Sequence, residues 1–545
     1  MDRNTEQAYG VLDTIESPRS TWHRNFNHKT SFNAGLLVPF YFNMDILPGT
    51  TIKNKTAIVC RMATPVYPVM DNLYLDTYYF KCSKFWYWEH FRAMLGENEQ
   101  GAWAQETEYS EPKIITQSST PTTVNDLLTY IGIPLAIPNL QVSKMAVNAY
   151  IDIWNNWFRD QNLQAPIALD KTDANVNYDG TIKTGGTLLP VAKFHDYFTS
   201  ALPEPQKGTA ISAPLGTTAP VYGVNGREIT LQRKDNNKIP YKMYSSNDNS
   251  GATGAYLRTN PQSGMPNNTG INISSKESGF VSEVYADLTQ ATAATINALR
   301  LAFATQRILE KDARFGTRYR EILKGHWGVT ASDEALLVPE YLGGTRTPIN
   351  IETVLQNSQT SEQSPLGNTG AFSVTASVNE DFTKSFTKDD MLIGVMCVRA
   401  DHTYQQGLPR QFTRTRRLDR YWPALAHIGN QPIYNYEIYA QGNAQDNEIF
   451  GYKEAFQEYL YHNNRISGEL LSTFAQSLDS WHFGDDYASL PVLSDEWIRE
   501  PKEFIDRTLA VQSSIHHQFI ADIEIEQIVS APIPLNRTPG LIDHF

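Results

Sequence analysis

The sequence predicts a mainly β fold whose sheets are closed by strands lying far apart in the chain, an antiparallel Greek-key or jelly-roll sandwich with long inserted loops and several helices. Three observations predict it. Runs rich in β-branched and aromatic residues, punctuated by Pro and Gly, stand near both ends of the 545 residues. Helical periodicity interrupts them only in patches. No internal repeat of roughly 20 to 50 residues is visible, which excludes solenoids and propellers.

The opening stretch MDRNTEQAYGVLDTIESPRS places acids where a secretory signal needs a basic end before an apolar run. Residues 1–30 read as an N-terminal arm of a protein made and kept in the cytosol. Between residues 31 and 83, FNAGLLVPFYFNMDILPG, TIKNKTAIVCRMATP and DNLYLDTYYFKCS read as three strands with turns between. In SKMAVNAYIDIWNNWF, Ala146, Tyr150, Ile153 and Trp157 fall on one apolar stripe behind a Ser143 N-cap, which predicts an amphipathic helix. Residues 220–281 turn to Asn, Gly, Ser and Thr, with no helical or strand period, and read as an inserted polar surface loop. A long helix follows over residues 282–315, where Leu288, Thr292, Thr295, Leu299, Ala302 and Phe303 share a face; both helices read as packing elements. MLIGVMCVRA (391–400) is apolar on both faces, as a central strand buried on two sides would be. FIADIEIEQI (519–528) alternates strictly, with Ile523 and Ile525 opposite Asp522, Glu524 and Glu526, the pattern of a half-buried strand.

Hydrophobic residues make up 41% and charged residues 19%, a composition of folded chains, and no apolar run is long enough to span a bilayer. Cys60, Cys82 and Cys397 are too few and scattered for a disulfide framework and fit a reducing compartment. The self-contained phosphate-loop, nucleophile-elbow, zinc-helix and calcium-loop motifs are absent, and the chain reads as a non-enzyme without cofactor or metal. His516 and His517 with Asp522, Glu524 and Glu526 could hold a metal, yet an acidic strand face is usually solvated and adjacent histidines point apart. Glu89 and His90 could act as acid and base, but a satisfied structural histidine is the simpler reading.

The feature demanding explanation is RQFTRTRRLDRYW. It places Arg410, Arg414, Arg416, Arg417 and Arg420 beside Tyr421 and Trp422, in a chain of net charge −13. Three readings stand: a solvated charged loop, bidentate ion pairs between subunits, or contact with nucleic-acid phosphates while the aromatics stack on bases. Spacing alone does not choose among them. The acidic total excludes a protein whose whole surface wraps nucleic acid, so any such contact must be local.

FNHKTSFNAGLLVPFYFNMDILPGTT (26–51), KFHDYFTSALPEPQKG (193–208), GTRYREILKGHWGV with VPEYLGGTR (316–346), HTYQQGLPRQF with YWPALAHIGNQPI (402–433), and the final PGLIDHF resemble the major capsid proteins of small single-stranded DNA phages, the Microviridae, and among them the gokushovirus branch. The resemblance spans residue 17 to the end and fails in detail between residues 221 and 279. It implies one eight-stranded antiparallel jelly-roll domain over residues 1–545. It also implies self-assembly as a T=1 icosahedral shell, a virion component assembled in the host bacterial cytoplasm around circular single-stranded DNA. The implied partners are copies of the chain, the packaged DNA, a small basic DNA-binding virion protein, a pilot protein and a host-surface receptor. By the same resemblance, residues 220–281 are expected to form a threefold protrusion, with Asn236, Asn249, Tyr256, Arg258, Asn267 and Lys276 as receptor-facing candidates. A jelly-roll carbohydrate-binding protein or glycan hydrolase is the competing expectation.

Overall fold

The computed structural model describes residues 18–98, 101, 103, 107–209, 211, 221–223, 232–233, 271–272, 284–286, 296–358, 360 and 366–535. Eight long strands carry the architecture: β1 (Ser20–Phe32), β2 (Val38–Ile46), β3 (Thr51–Met62), β4 (Leu73–Ser83), β5 (Glu340–Pro348), β6 (Thr375–Ser385), β7 (Asp390–Ala400) and β8 (Phe519–Ala531). They form two four-stranded sheets, β1-β8-β3-β6 and β5-β4-β7-β2. Every pairing within them is antiparallel. Successive strands therefore change sheet at each step except from β4 to β5.

The burial of each strand follows from its place. In β8 every second residue is buried, Ile523 and Ile525 completely, because one face meets the sandwich interior and the other carries the acids. β7 is buried at every residue but Arg399. It sits between β4 and β2, and its sheet is covered on the outside too, where Phe80 of β4 meets Trp157 and Phe158 at ring distances of 5.5 and 6.2 Å. At the opposite margin the two sheets nearly touch: a Cβ on Gly343 of β5 would lie 2.2 Å from the Asp381 carbonyl oxygen of β6, which leaves room only for glycine.

A buried polar chain crosses the first sheet. Gln527 of β8 accepts from Arg24 of β1 (2.9 Å) and Tyr41 (3.0 Å) and donates to Asn54 of β3 (2.7 Å), which donates to Asp381 of β6 (2.9 Å). A network satisfied in this way penalises any slip of register, since one residue of slip would leave its members unpaired in the interior.

The helices depart from the sequence expectation. The first, α1 (Lys144–Ile153), is buried on all sides instead of along one stripe. Its polar residues are absorbed by partners: Lys144 donates to the Thr172 carbonyl (2.8 Å), Asn148 to the Asp170 carbonyl (2.7 Å), and Asp152 accepts from Tyr87 (3.1 Å). Ser143 makes no cap bond and turns its hydroxyl to Glu111. The second, α2 (Ile296–Phe315), begins later than expected, after a short strand at Val284–Ala286, and Leu288, Thr292 and Thr295 lie outside the described residues. Among the described residues it buries only Ala313 and leaves Leu301 and Phe303 largely exposed, where the sequence predicts a packed face.

The chain divides into two compact units, Gly208–Glu310 and a unit made of Met1–Lys207 with Lys311–Phe545. Within the smaller unit, Val221–Gly223 pairs with Val284–Ala286, and nested inside, Gln232–Arg233 pairs with Ile271–Asn272. Such short strands leave no alternation in the sequence. Asn236, Asn249, Tyr256, Arg258, Asn267 and Lys276 lie outside the described residues.

Residues 401–518, between β7 and β8, are anchored by a buried charge cluster. His402 lies between Asp485 (3.0 Å) and Glu500 (2.9 Å), and Glu500 also accepts from the Ala400 amide at the end of β7 (2.9 Å). Burial pulls the imidazole's pKa down, but the Asp485 and Glu500 carboxylates outweigh it and lift the pKa to about 10. Its stabilising contribution is therefore complete below the ordinary value of 6.5 and is lost as pH rises through about 10. Replacing His402 by Gln should cost about 3 to 5 kcal/mol in denaturant unfolding of the single chain and abolish that alkaline limb, because two carboxylates would remain buried around a neutral amide. An unchanged midpoint and pH profile would refute the assignment.

Candidate assembly and nucleic-acid interface

The arginine run lies in the same 401–518 connection, on two single 3-10 turns, Arg410–Phe412 and Arg417–Asp419. The structure divides the five guanidinium groups. Arg410 is largely buried, pairs with Glu437 at 2.8 Å and donates to the Pro432 carbonyl. Burial pushes the Glu437 carboxyl upward even against that guanidinium, as expected of an acid held out of water. Arg414 pairs with Glu458 at 2.9 Å and lies 4.2 Å over the Tyr459 ring. These two arginines are engaged inside the subunit.

Arg416, Arg417 and Arg420 are different. All three are exposed, and no ion pair holds them among the described residues. The Arg417 guanidinium stacks 4.8 Å over Trp422, whose indole N–H donates to the Arg417 carbonyl at 3.0 Å. Asp419, the one acid in the run, accepts the Thr415 and Arg416 amides at 3.0 and 2.7 Å; those bonds lower its pKa and commit it to shaping the turn. The result is a strip, residues 415–424, exposed at every position, with Leu418 68%, Tyr421 46% and Trp422 41% accessible among the free cations. Tyr421 is backed by Phe456 and Tyr459, at ring distances of 5.5 and 6.2 Å.

Beside Arg410 lies a cavity of about 340 Å³, lined by Tyr197, Tyr404, Phe412, Tyr461 and Arg465 among others. Arg465 is a further exposed cation that the run of arginines does not announce, because it stands far along the chain from it. Equally silent in the sequence are Glu437 and Glu458, the acids that remove Arg410 and Arg414 from the surface; nothing local signals either pairing. Large apolar side chains are exposed nearby in the chain as well, including Ile428, Leu460, Phe474 and Leu478.

The residues weighed for other chemistry are placed in structural roles. His517 bonds to Ser31 (2.9 Å) and Asn125 (2.8 Å), while Asp522 and Glu526 face Lys29 (3.4 Å) and Lys55 (3.1 Å). His90 bonds to Asp173 (2.8 Å) and stacks on Tyr109, with Glu89 exposed. The three cysteines are buried, and burial pushes the Cys60 and Cys397 thiols up to about 12, far from a reactive thiolate.

An exposed strip of cations and aromatics on a subunit rich in uncovered apolar side chains describes a surface made to be covered. Comparison with protein families matches residues 11–541 to the capsid protein (F protein) of phages. The chain belongs to that capsid protein family. Relatives agree along the whole length. The capsid protein VP1 of Bdellovibrio phage phiMH2K is 36% identical, covering 100% of this chain and 99% of the relative. That of Spiroplasma virus 4 is 37% identical over 96% and 95%, and that of Chlamydia phage 1 is 33% identical over 98% and 98%. The resemblance to gokushovirus-type Microviridae read from the sequence holds. This capsid protein is a structural component of the virion and not an enzyme. Among its described residues, no helix is long and apolar enough to cross a membrane.

The division of the arginines makes a direct prediction for the dissociated capsid subunit. Arg410→Gln should lose about 3 kcal/mol or more of unfolding free energy, since it strands buried Glu437. Arg417→Gln should change stability by no more than about 0.5 kcal/mol, as surface substitutions do. Equal effects of the two in urea titrations would show that the run is not partitioned.

Proposed function

We propose that this capsid protein is a jelly-roll subunit that assembles, one copy per asymmetric unit, into a T=1 icosahedral shell around a circular single-stranded DNA genome. The fold part rests on strand order: two four-stranded antiparallel sheets, with successive strands changing sheet at every step except from β4 to β5, fit the arrangement of two interlocked Greek keys. The observation that carries the functional part is the fully exposed strip of residues 415–424, where free Arg416, Arg417 and Arg420 interleave with Leu418, Tyr421 and Trp422. A monomer has no use for such a strip, whereas a shell wall can press it against copies or cargo.

We assign the strip to the packaged DNA. Its cations form no ion pair among the described residues, and an acidic protein can hold nucleic acid only through such local positive surface. Arg410 and Arg414 serve the subunit. The segment of residues 220–281 belongs in this reading to an outward protrusion at the threefold axes used in host attachment, with Asn236, Asn249, Tyr256, Arg258, Asn267 and Lys276 facing the receptor. A small basic virion protein and a pilot protein complete the particle.

Sedimentation of purified wild-type protein should show a megadalton-scale species; a small oligomer in every preparation would favour a carbohydrate-binding jelly roll instead. Replacing Arg416, Arg417 and Arg420 together by Gln should leave shells intact while DNA retention falls, with the salt dependence of retention weakening by roughly one unit of slope for each phosphate no longer neutralised. Loss of assembly in that variant would move the strip to a contact between subunits, and full particles in normal yield would return it to solvent. Shortening residues 236–276 to a few Gly and Ser should preserve shells and reduce attachment to cells, because closure entropy changes slowly with loop length; insoluble protein would contradict the attachment role.

A further inference from the structure

The two margins of the sandwich are unlike. Along β5 and β6 the sheets are clamped together, by the close approach at Gly343 and by the ion pair of Lys384 with Glu340 at 2.6 Å. Along β1 and β2 they are held by the Arg24–Tyr41 hydrogen bond at 3.0 Å. Between them opens a groove of about 420 Å³, lined by residues 26–29 of β1, 39–42 of β2 and 129–132 at the end of a one-turn helix.

β1 is the terminal strand of its sheet, paired with β8 at all 13 positions and with no other strand among the described residues. Its alternate backbone amides and carbonyls thus face outward over a length of about 44 Å. Among the described residues the Ser31 carbonyl accepts from the Tyr130 hydroxyl at 2.8 Å. The strand has no bulge and no proline, two of the devices that blunt an exposed edge. Phe26, 40% exposed on the isolated subunit, leans edge-to-face on Tyr41 at 5.7 Å at the groove. Burial lowers the pKa of His28, which favours its neutral form. Lys29 already faces Asp522.

We propose that this groove, with the free edge of β1, is the docking site for an extended segment of a neighbouring copy of the same chain. The inference rests on the shell reading above and goes beyond it by naming the surface. The chemistry selects a polypeptide: an unpaired strand edge binds a strand through main-chain hydrogen bonds and reads alternate side chains in adjoining pockets. A groove whose lining cation, Lys29, already faces Asp522 offers little to a phosphate backbone. Among polypeptides, another copy fits best, because closed shells need heterologous contacts in which a ridge on one subunit meets a groove on the next. The subunit presents such ridges: among the described residues Ile351–Leu355 pairs on one side only, to Thr369–Ser373, with Val354 and Leu355 exposed.

The three native cysteines are all buried, so Asn27→Cys introduces one reactive thiol at the groove. With a maleimide reagent, labelling should be fast in dissociated subunits and slower by about tenfold or more in assembled particles, empty or filled. Equal rates in both states would overturn the proposal while leaving the shell reading intact. Protection confined to DNA-filled particles would overturn it in favour of the nucleic acid. As an independent check, Phe26→Asp should yield subunits with wild-type circular dichroism and no shells; shells in normal yield would overturn the proposal. Failure of the unmodified protein to form any particle would instead remove the shell reading on which it rests.

Discussion

The subunit depends on one pairing, the seating of β8 between β1 and β3. These strands come from opposite ends of the chain, and β8 matches Phe519 to Phe32 on one side and to Met62 on the other. The energy is on its inner face. Burying Ile523 and Ile525 contributes about 1.5 to 3 kcal/mol each, whereas the exposed pairs Lys29–Asp522 and Lys55–Glu526 on the outer face contribute about 0 to 1 kcal/mol. The Arg24–Gln527–Asn54–Asp381 chain then fixes which residues face which. With the sandwich closed by its two ends, everything between can lengthen at little thermodynamic cost, since closure entropy grows only logarithmically with loop length. That explains how the connections from β4 to β5 and from β7 to β8 can be long without disturbing the sheets.

Legibility in the sequence followed burial. β2, β3, β4, β7 and β8 were readable, because strands packed against a core show apolar runs or strict alternation. β1, β5 and β6 were not, and each ends a sheet: β1 is largely polar, β5 holds two glycines and a proline, and β6 is polar on both sides of Phe382. An edge strand is specified by its neighbour more than by its own pattern. α1 misled for the opposite reason. Its polar residues are buried and satisfied by distant partners, so a stripe of apolar positions was only part of its buried surface. In the candidate site, the run of arginines was visible, but its division into internal and external members was not. Spacing cannot show that Glu437 and Glu458 fold back onto Arg410 and Arg414.

That division also resolves how an acidic chain carries a cationic cluster. Two guanidinium groups neutralise acids that burial would otherwise expel, and three remain at the surface beside aromatics. The total charge describes the subunit as a whole, and the strip describes one face of it. A capsid protein has an inside and an outside, and local charge can serve one without the other. The uncovered apolar side chains of the isolated subunit belong to the same logic, since surfaces that would threaten a monomer's solubility are what symmetric assembly buries.

Native-state hydrogen exchange on the dissociated subunit tests most directly whether β8 holds the fold together. Amides of β8 bonded to β1 and β3 should exchange only through global unfolding, at rates matching the slowest amides of β7 and β4. Exchange of β8 by local opening, while β4 and β7 stay protected, would contradict the account.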